Sequence, residues 1–217
     1  MIVDILMAVR SGWIFTFEAI WSVRRQLYPG WQLFVGVNGL PPDALAWTML
    51  DHLADEQVHI LKYPDAANKP ATLNLLAQEG RGKFVAVLDC DDIWLLSKLI
   101  TQLPHASEHD VIGTAAEYFG TCTSPIPIKP GVVTFDDLLE CNQIVNSSAI
   151  MRRELAVWDD TDGLDDYPLW LRLAHEGRRL YNIPELLTRI RCHKEQWFAG
   201  TRDNSDEIRR KWKAVSR

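Results

Sequence analysis

One stretch of the sequence decides the fold, namely Gly82-Lys83-Phe84-Val85-Ala86-Val87-Leu88-Asp89-Cys90-Asp91-Asp92-Ile93-Trp94. Residues 84–88 are apolar on both faces, which is typical of a central strand in a parallel sheet. Three carboxylates, those of Asp89, Asp91 and Asp92, follow this strand directly. Open α/β sheets bind their ligands at the carboxyl ends of such strands. The stretch therefore predicts an α/β fold with a ligand site that begins at residue 89.

The chain before this stretch alternates strand-like and helix-like patterns. Apolar, β-rich runs predict strands at residues 2–9, 31–37 and 58–61. Helical spacing of apolar residues predicts helices between them, with Ser11 and Asp43 as caps and Pro70 opening the third helix. This alternation is the signature of βαβ units, so we predict a single, mostly parallel, Rossmann-like sheet flanked by helices.

The pattern after residue 103 is looser and predicts a smaller, mixed half. Strands are expected at residues 110–114, 146–151 and 178–183, and residues 121–131, rich in Pro and Thr, are expected to form a loop. The run Asp165-Asp166-Tyr167-Pro168 precedes an apolar helix that ends at Gly177, and Asp165 is a good cap for it. From residue 194 the sequence is polar, which indicates a tail with a short helix at 206–215.

Composition excludes several classes of protein. The 217 residues are 47% apolar and 24% charged, which argues against a disordered chain. The net charge is −6 and no basic run could neutralise a phosphate backbone, so we expect no nucleic-acid partner. No apolar stretch is long enough to cross a bilayer, and Asp4 interrupts the first apolar run, so we expect neither a transmembrane segment nor a signal peptide. These features predict a soluble, cytoplasmic protein.

The cysteines predict neither a zinc site nor a redox motif. Cys90, Cys122, Cys141 and Cys192 are scattered and form no CxxC pair. We therefore expect four reduced thiols.

The acidic cluster has two interpretations at this point. Side-by-side carboxylates repel unless a cation lies among them, and Mg²⁺ or Mn²⁺ bound with substrate phosphates suits such oxygen ligands. Alternatively, Asp91 or Asp92 caps a helix that begins near Ile93.

Other well-known motifs are missing from the sequence. The run Gly80-Arg81-Gly82-Lys83 leads into a strand, the reverse of a P-loop, and no GxGxxG follows the first strand. The GxSxG motif of esterases does not occur either.

Several ordered motifs resemble the family 2 glycosyltransferases, which have the GT-A fold. The stretch quoted above, with Lys98-Leu99 after it, is similar to the family's strand that ends in Leu-Asp-x-Asp-Asp. The apolar run at residues 3–9 is similar to the family's first strand. Further resemblance lies in Asn146-Ser147-Ser148-Ala149-Ile150-Met151-Arg152-Arg153, in Asp165-Asp166-Tyr167-Pro168-Leu169-Trp170-Leu171-Arg172-Leu173 and in Arg191-Cys192-His193. It implies one domain at 1–193, with a nucleotide-sugar half at about 1–100, an acceptor half at about 101–193, and a tail at 194–217.

The resemblance implies roles for individual residues. Asp89 or Asp91 is expected to contact the nucleotide sugar, with Asp165 beside it, and Asp91 or Asp92 to bind the metal, Mn²⁺ or Mg²⁺. Asp166 matches the family's general base, and His193 is a further metal or diphosphate ligand. The implied reaction is inverting transfer from a UDP- or GDP-linked sugar to a hydroxyl group of a glycan or another acceptor.

Departures from the family pattern affect the donor side. Asn38 stands where a carboxylate commonly contacts the nucleobase, and we expect it to bind the base edge instead. Lys69 takes the place of a frequent Arg and is expected to contact phosphate. Pro168 replaces a frequent Asp beside the implied base.

Two other functional classes stay open on the sequence alone. A nucleotidyltransferase also uses paired carboxylates with a divalent ion, although such enzymes commonly carry a basic or glycine-rich phosphate loop near the first strand. A non-catalytic sugar-binding module with the same fold is the other alternative, and the presence of Asp89, Asp91, Asp92, Asp166 and His193 argues against it.

Overall fold

A computed structural model describes residues 2–10, 13–39, 45–159, 166–193 and 205–215. The predicted caps Ser11 and Asp43, and the predicted donor contact Asp165, lie outside these residues. In the described part of the chain no helix is both long and apolar enough to span a membrane.

The described strands belong to one sheet. Their bounds are β1 Val3–Val9, β2 Trp31–Val37, β3 Val58–Lys62, β4 Phe84–Val87, β5 Ile93–Trp94, β6 Val111–Gly120, β7 Ser124–Pro125, β8 Gly131–Val133, β9 Ile150–Arg152 and β10 Leu180–Cys192.

Helices connect and cover these strands. Their bounds are α1 Trp13–Arg24, α2 Leu45–Asp51, α3 Lys69–Glu79, α4 Lys98–Gln102, α5 Phe135–Glu140, α6 Tyr167–His175 and α7 Ser205–Val215, with 3-10 segments at Leu103–Ser107, Asn146–Ser148 and Arg153–Leu155.

The sheet has the strand order β3-β2-β1-β4-β9-β6-β10-β5, with β7 beside β6 and β8 beside β10. The first four strands run parallel. Beyond them β9 is antiparallel to β4 and β6, whereas β10 is parallel to β6. The predicted parallel first half and mixed second half are therefore confirmed. The boundary near residue 100 stays a prediction, because one sheet runs through both parts.

Alternate residues of the central strands enter two cores, one on each face of the sheet, because successive strand side chains point to opposite faces. Ile5 and Met7 of β1 pack with residues of α1 and α2. Leu6 packs with residues of α3, α5 and α6, and Ile208 of α7 joins this second core. The predicted tail helix thus forms, and it is packed against the domain.

An ion pair with a buried carboxylate lies at the amino-terminal edge of the sheet. The carboxylate of Asp4 contacts the guanidinium of Arg153 and accepts a 2.6 Å hydrogen bond from the Gly82 backbone N–H. A Cβ atom at Gly82 would lie 2.7 Å from the Ile2 carbonyl oxygen and 2.8 Å from Oδ1 of Asp4. Gly82 is needed for this close approach. The close approach explains why a glycine lies here although the run is not a phosphate-binding loop.

The expectation of four reduced thiols is wrong for two of them. Cys122 and Cys192 form a disulfide, although 70 residues separate them in the sequence. The pair forms because β6 and β10 are neighbours in register, with Cys192 opposite Gly120, two residues before Cys122. Cys90 and Cys141 are not disulfide-bonded.

The sequence prediction also misplaced elements in the second half. Residues 93–94 form the short strand β5, so the helix predicted to begin there begins only at Lys98. The alternative in which Asp91 or Asp92 caps that helix is therefore wrong. The predicted loop at 121–131 contains β7 and the first residue of β8, and β6 and β10 are both longer than predicted.

Candidate active site

The candidate site lies at the carboxyl ends of the parallel strands. Asn38 follows β2 directly, and Asp89 comes two residues after the end of β4. A turn then forms, because the Asp92 backbone N–H donates to the Asp89 carbonyl at 3.1 Å. The turn gathers the three carboxylates at the edge of the sheet where the sequence predicted a ligand site.

Asp89 is held by two side-chain donors. Its Oδ1 atom lies 2.7 Å from Nζ of Lys69 and accepts a 3.0 Å hydrogen bond from Nδ2 of Asn146. Lys69 is the first residue of α3, whose Asn68 cap accepts from the Ala71 backbone N–H. The capped start of α3 thus places the Lys69 ammonium group beside Asp89. Two residues that the sequence predicted to bind the nucleotide sugar are therefore in contact.

Asp91 contacts His193 at the end of β10. Nε2 of His193 lies 2.9 Å from Oδ2 of Asp91, and both side chains are partly exposed. The imidazole packs on the ring of Phe15 with centroids 4.8 Å apart. Two residues predicted as metal ligands are therefore adjacent and accessible.

Asp92 has different surroundings, because its side chain is only 3% exposed. One oxygen accepts a 2.5 Å hydrogen bond from Oγ of Ser147 and the other a 3.0 Å bond from the Arg191 backbone N–H. Burial raises the pKa of Asp92 well above its usual value, and the carboxylates of Asp89 and Asp91 raise it further. The predicted metal contact of Asp92 stays a prediction, and this geometry favours a role in supporting the turn.

Arg191 links the acidic turn to two other elements. Its Nε donates to the Asp91 carbonyl at 2.9 Å. The guanidinium carbon lies 4.6 Å from the ring centroid of Phe15 and 4.4 Å from that of Phe119, and the group also pairs with Glu18. Aromatic faces attract such a cation, so Arg191 ties α1, β6 and the turn together.

Asp166 begins α6, the helix that follows the undescribed residues 160–165. Its Oδ1 atom accepts a 2.8 Å hydrogen bond from the Tyr167 backbone N–H, and Oδ2 accepts a 2.9 Å bond from Nδ2 of Asn142. The cap position that the sequence assigned to Asp165 is occupied by Asp166.

Asn38 is 1% exposed at the end of β2. Its Nδ2 atom donates to the Ala66 carbonyl at 3.2 Å. Within the described residues, its buried Oδ1 atom has no hydrogen-bond partner. A buried acceptor without a partner is costly, which is consistent with a site that a ligand donor completes.

Three contributors were missed by the sequence analysis as individual residues, namely Asn142, Ser147 and Arg191. Ser147 and Arg191 lie inside motifs quoted above, so the motifs could have singled them out. Asn142 has no comparable signal, because its role depends on a contact with a residue 24 positions away.

Comparison with known proteins decides the family. Residues 12–154, more than half of the chain, match the family described as Glycosyl transferase family 2. The chain belongs to this family. The family predicted from the motifs and its enzyme class, glycosyltransferase, are both confirmed.

One curated relative of this family 2 glycosyltransferase is WfaP of Escherichia coli, named as a UDP-Glc:alpha-D-GlcNAc-diphosphoundecaprenol beta-1,3-glucosyltransferase. The two are 20% identical over 200 residues, which cover 88% of this chain and 78% of WfaP.

Two solved structures show that the fold is GT-A. S. aureus TarS 1–349 in complex with UDP-GlcNAc has a TM-score of 0.76 at 13% identity, over 99% of this chain and 66% of TarS 1–349. The mannosyltransferase PcManGT from Pyrobaculum calidifontis, in complex with GDP-Man and Mn²⁺, has a TM-score of 0.71 at 14% identity, over 99% of this chain and 64% of PcManGT. The chain thus spans about two thirds or less of the length of these two structures.

A divalent ion is the cofactor implied for this family 2 glycosyltransferase. In the described part of the chain, no group of three or more His, Cys, Asp and Glu side chains is arranged to hold a metal ion. Asp91 and His193 nevertheless offer a carboxylate oxygen and an imidazole nitrogen 2.9 Å apart. Mg²⁺-type sites commonly use one or two protein ligands and complete their shell with substrate phosphates and water. The donor set fits an ion that binds together with a diphosphate.

Proposed function

We propose that this family 2 glycosyltransferase transfers a sugar, with inversion, from a UDP- or GDP-linked donor to a hydroxyl group of a glycan or similar acceptor. The observation that carries the proposal is the contact between Asp91 and His193, beside the Lys69–Asp89 pair. The carboxylates and the imidazole lie at the edge of the sheet where α/β folds bind ligands. The complexes of TarS with UDP-GlcNAc and of PcManGT with GDP-Man support the donor class.

Each end of the donor has candidate contacts. Oδ1 of Asn38 would accept from a base N–H, and Asp89 would bind the ribose or the sugar. Asp165 is proposed as a further donor contact. Lys69 carries the positive charge that a diphosphate needs, and its bond to Asp89 fixes where that charge lies.

Asp91 and His193, with Asp92 behind them, are the residues proposed to hold Mn²⁺ or Mg²⁺. Such an ion, when bound, neutralises the charge that develops on the leaving nucleoside diphosphate. Asp92 keeps the turn in place through Ser147 and Arg191.

Asp166 is proposed as the general base. Its carboxylate would take the proton from the acceptor hydroxyl while the oxygen attacks the anomeric carbon from the side opposite the diphosphate. Direct displacement of this kind inverts the anomeric configuration and needs no covalent intermediate.

The acceptor class follows only from relatives. WfaP is named for a diphosphoundecaprenol-linked sugar acceptor. We therefore include lipid-linked glycans among the acceptors to be tested.

A panel of nucleotide sugars with MnCl₂ tests the proposal. One UDP- or GDP-sugar should be hydrolysed slowly without an acceptor, releasing the nucleoside diphosphate, and the same diphosphate with Mn²⁺ should raise the melting temperature. Release of pyrophosphate instead would indicate a nucleotidyltransferase, and no shift with any nucleoside diphosphate would contradict the donor assignment.

Variants separate the proposed roles. Asp166→Asn should lower the transfer rate by about 10²- to 10⁴-fold while the melting shift with diphosphate and Mn²⁺ persists. Asp91→Asn should lose that shift. Glu56→Gln is the matched control, because this exposed side chain lies in the loop before β3, at the opposite edge of the sheet. Normal transfer by Asp166→Asn would refute the assignment of the base.

A further inference from the structure

The segment after α5 presents a side-chain amide to the proposed base. A capping box starts α5, in which Thr134 accepts from the Asp137 backbone N–H and Asp137 accepts from that of Thr134. At the other end, Arg209 of α7 donates to the Glu140 carbonyl at 3.1 Å. Both ends of α5 are therefore anchored, and the position of the residues that follow it is fixed.

Asn142 uses both atoms of its amide. Its Oδ1 accepts a 3.1 Å hydrogen bond from the Ile144 backbone N–H, which forms a local turn. Because the backbone N–H can only donate, it fixes which amide atom is oxygen. Nδ2 therefore points the other way, toward Oδ2 of Asp166 at 2.9 Å.

The second oxygen of Asp166 is also fixed, by the Tyr167 backbone N–H at 2.8 Å. A carboxylate with a donor on each oxygen is restrained in rotation. The titratable and charged groups near this point are the Tyr167 phenol, the Cys141 thiol and the Arg209 guanidinium. Burial raises the pKa of Tyr167 above its usual value, so the phenol is neutral and adds no charge beside Asp166.

We propose that Asn142 is a positioning residue that orients the carboxylate of Asp166 toward the acceptor hydroxyl. The inference rests on the proposed function, in which Asp166 is the general base. Asn142 does not touch the reacting atoms in this assignment. Asn142 donates a hydrogen bond to Oδ2 of Asp166, and the Tyr167 backbone N–H at the start of α6 donates one to Oδ1. The two bonds together set the orientation of the carboxylate.

Two substitutions at one position distinguish this role from a purely structural one. Asn142→Asp keeps an oxygen that accepts from the Ile144 N–H, so the turn is retained, but it replaces the donor to Asp166 with a second carboxylate. Asn142→Ala loses the acceptor and the donor together. A role confined to the turn therefore predicts damage in Asn142→Ala. In Asn142→Asp it predicts a normal kcat/KM above the acidic limb, because the added like charge can shift that limb whatever the role of Asn142.

A positioning role predicts the opposite order. Asn142→Asp should lower kcat/KM at pH 7 by about 10- to 100-fold, at least as much as Asn142→Ala, because hydrogen bonds to charged groups are worth that factor. The like charge should also move the acidic limb of the kcat/KM profile upward by about one pH unit. Gln78→Glu, an exposed amide-to-acid change near the end of α3, should leave rate and profile unchanged.

The experiment measures kcat/KM against pH and the melting temperature for each full-length variant, with the donor identified by the panel. An Asn142→Asp protein that transfers sugar at the normal rate above its acidic limb, while Asp166→Asn is inactive, would overturn the positioning role and leave the base assignment standing. An active Asp166→Asn protein would instead refute the base itself. Loss of activity in Asn142→Asp with a normal melting temperature and a shifted acidic limb supports the proposal.

Discussion

Nε2 of His193 lies 2.9 Å from Oδ2 of Asp91, although 102 residues separate the two in the sequence. The contact joins the residue that directly follows β10 to the turn that follows β4. We expect the Asp91 oxygen that the imidazole contacts to serve an incoming ion, so the two side chains are a candidate pair of ligands that already lie together.

We expect His193→Ala to weaken the affinity for Mn²⁺ in the presence of UDP or GDP by about 10- to 100-fold, as loss of a ligand or of its supporting partner does in other sites. Isothermal titration of MnCl₂ into the protein with the nucleotide measures this affinity. His52→Ala is the control, because His52 is exposed at the end of α2. Equal affinities in wild type and His193→Ala would remove His193 from the proposed metal site.

Asp91 and Asp92 should differ in their effect on stability. Asp92→Ala leaves the buried Ser147 hydroxyl and the Arg191 N–H without their acceptor, so the free energy of unfolding should fall by about 1–3 kcal/mol. Asp91→Asn removes a carboxylate that repels those of Asp89 and Asp92, so without metal it should be as stable as wild type or slightly more stable. Urea unfolding in EDTA tests both. A stable Asp92→Ala protein would contradict the supporting role given to this residue.

Lys98 should make stability rise with pH. Its side chain is completely buried, with Nζ 2.7 Å from Oε1 of Gln102 and 4.0 Å from the ring centroid of Trp94. Burial lowers the pKa of Lys98 well below its usual value. Between that lowered pKa and the unfolded value near 10.4, the unfolded chain binds more protons than the folded one. The contribution of neutral, buried Lys98 to the unfolding free energy is therefore fully present above about pH 10.4. It is lost as the pH falls through the pKa of Lys98 in the folded protein.

The measurement is the difference in unfolding free energy between wild type and Lys98→Met from pH 7 to pH 10. Met has nearly the same length and does not titrate, so groups common to both proteins cancel. The unfolding free energy of wild type should increase relative to that of Lys98→Met as the pH rises. A difference that is flat over this range, or that moves the other way, would show that the pKa of Lys98 is not lowered.

The Cys122–Cys192 disulfide should contribute measurably to stability. A cross-link between residues 70 positions apart lowers the entropy of the unfolded chain. In the chain-entropy model this raises the unfolding free energy by about 4 kcal/mol. Cys122→Ser should lower the unfolding free energy toward that limit, and dithiothreitol should have the same effect on wild type but none on the variant. Cys141→Ser, which removes an exposed free thiol, is the control. Insensitivity of wild type to the reductant would contradict the prediction.

Much of the first half could be predicted from the sequence because β1, β2 and β4 are buried on both faces and therefore read as apolar runs. The prediction of β2 at residues 31–37 matches the structure, and Pro70 lies in the first turn of α3, as predicted. Motif resemblance indicated that Asp89, Asp91 and His193 belong to one site.

The second half was less predictable because its contacts are distant in sequence. Pro184 suggests the end of a strand, since proline has no N–H for the ladder, yet β10 continues to Cys192. The hydrogen bonds of Ser147 with Asp92, and of Asn142 with Asp166, depend on rotamers and turns that no local pattern encodes. The disulfide likewise follows only from the register between β6 and β10.

The irregular pairing around Pro184 has a consequence for the site. Between Ile183 and Thr188 the register of β10 against β6 shifts twice, so β10 has extra residues there. One residue advances a strand by about 3.3 Å and reverses the direction of its side chain. Losing a single residue from this bulge would therefore carry His193 away from Asp91 and turn it to the opposite face. The length of this segment of β10 thus determines whether the side chains of Asp91 and His193 meet.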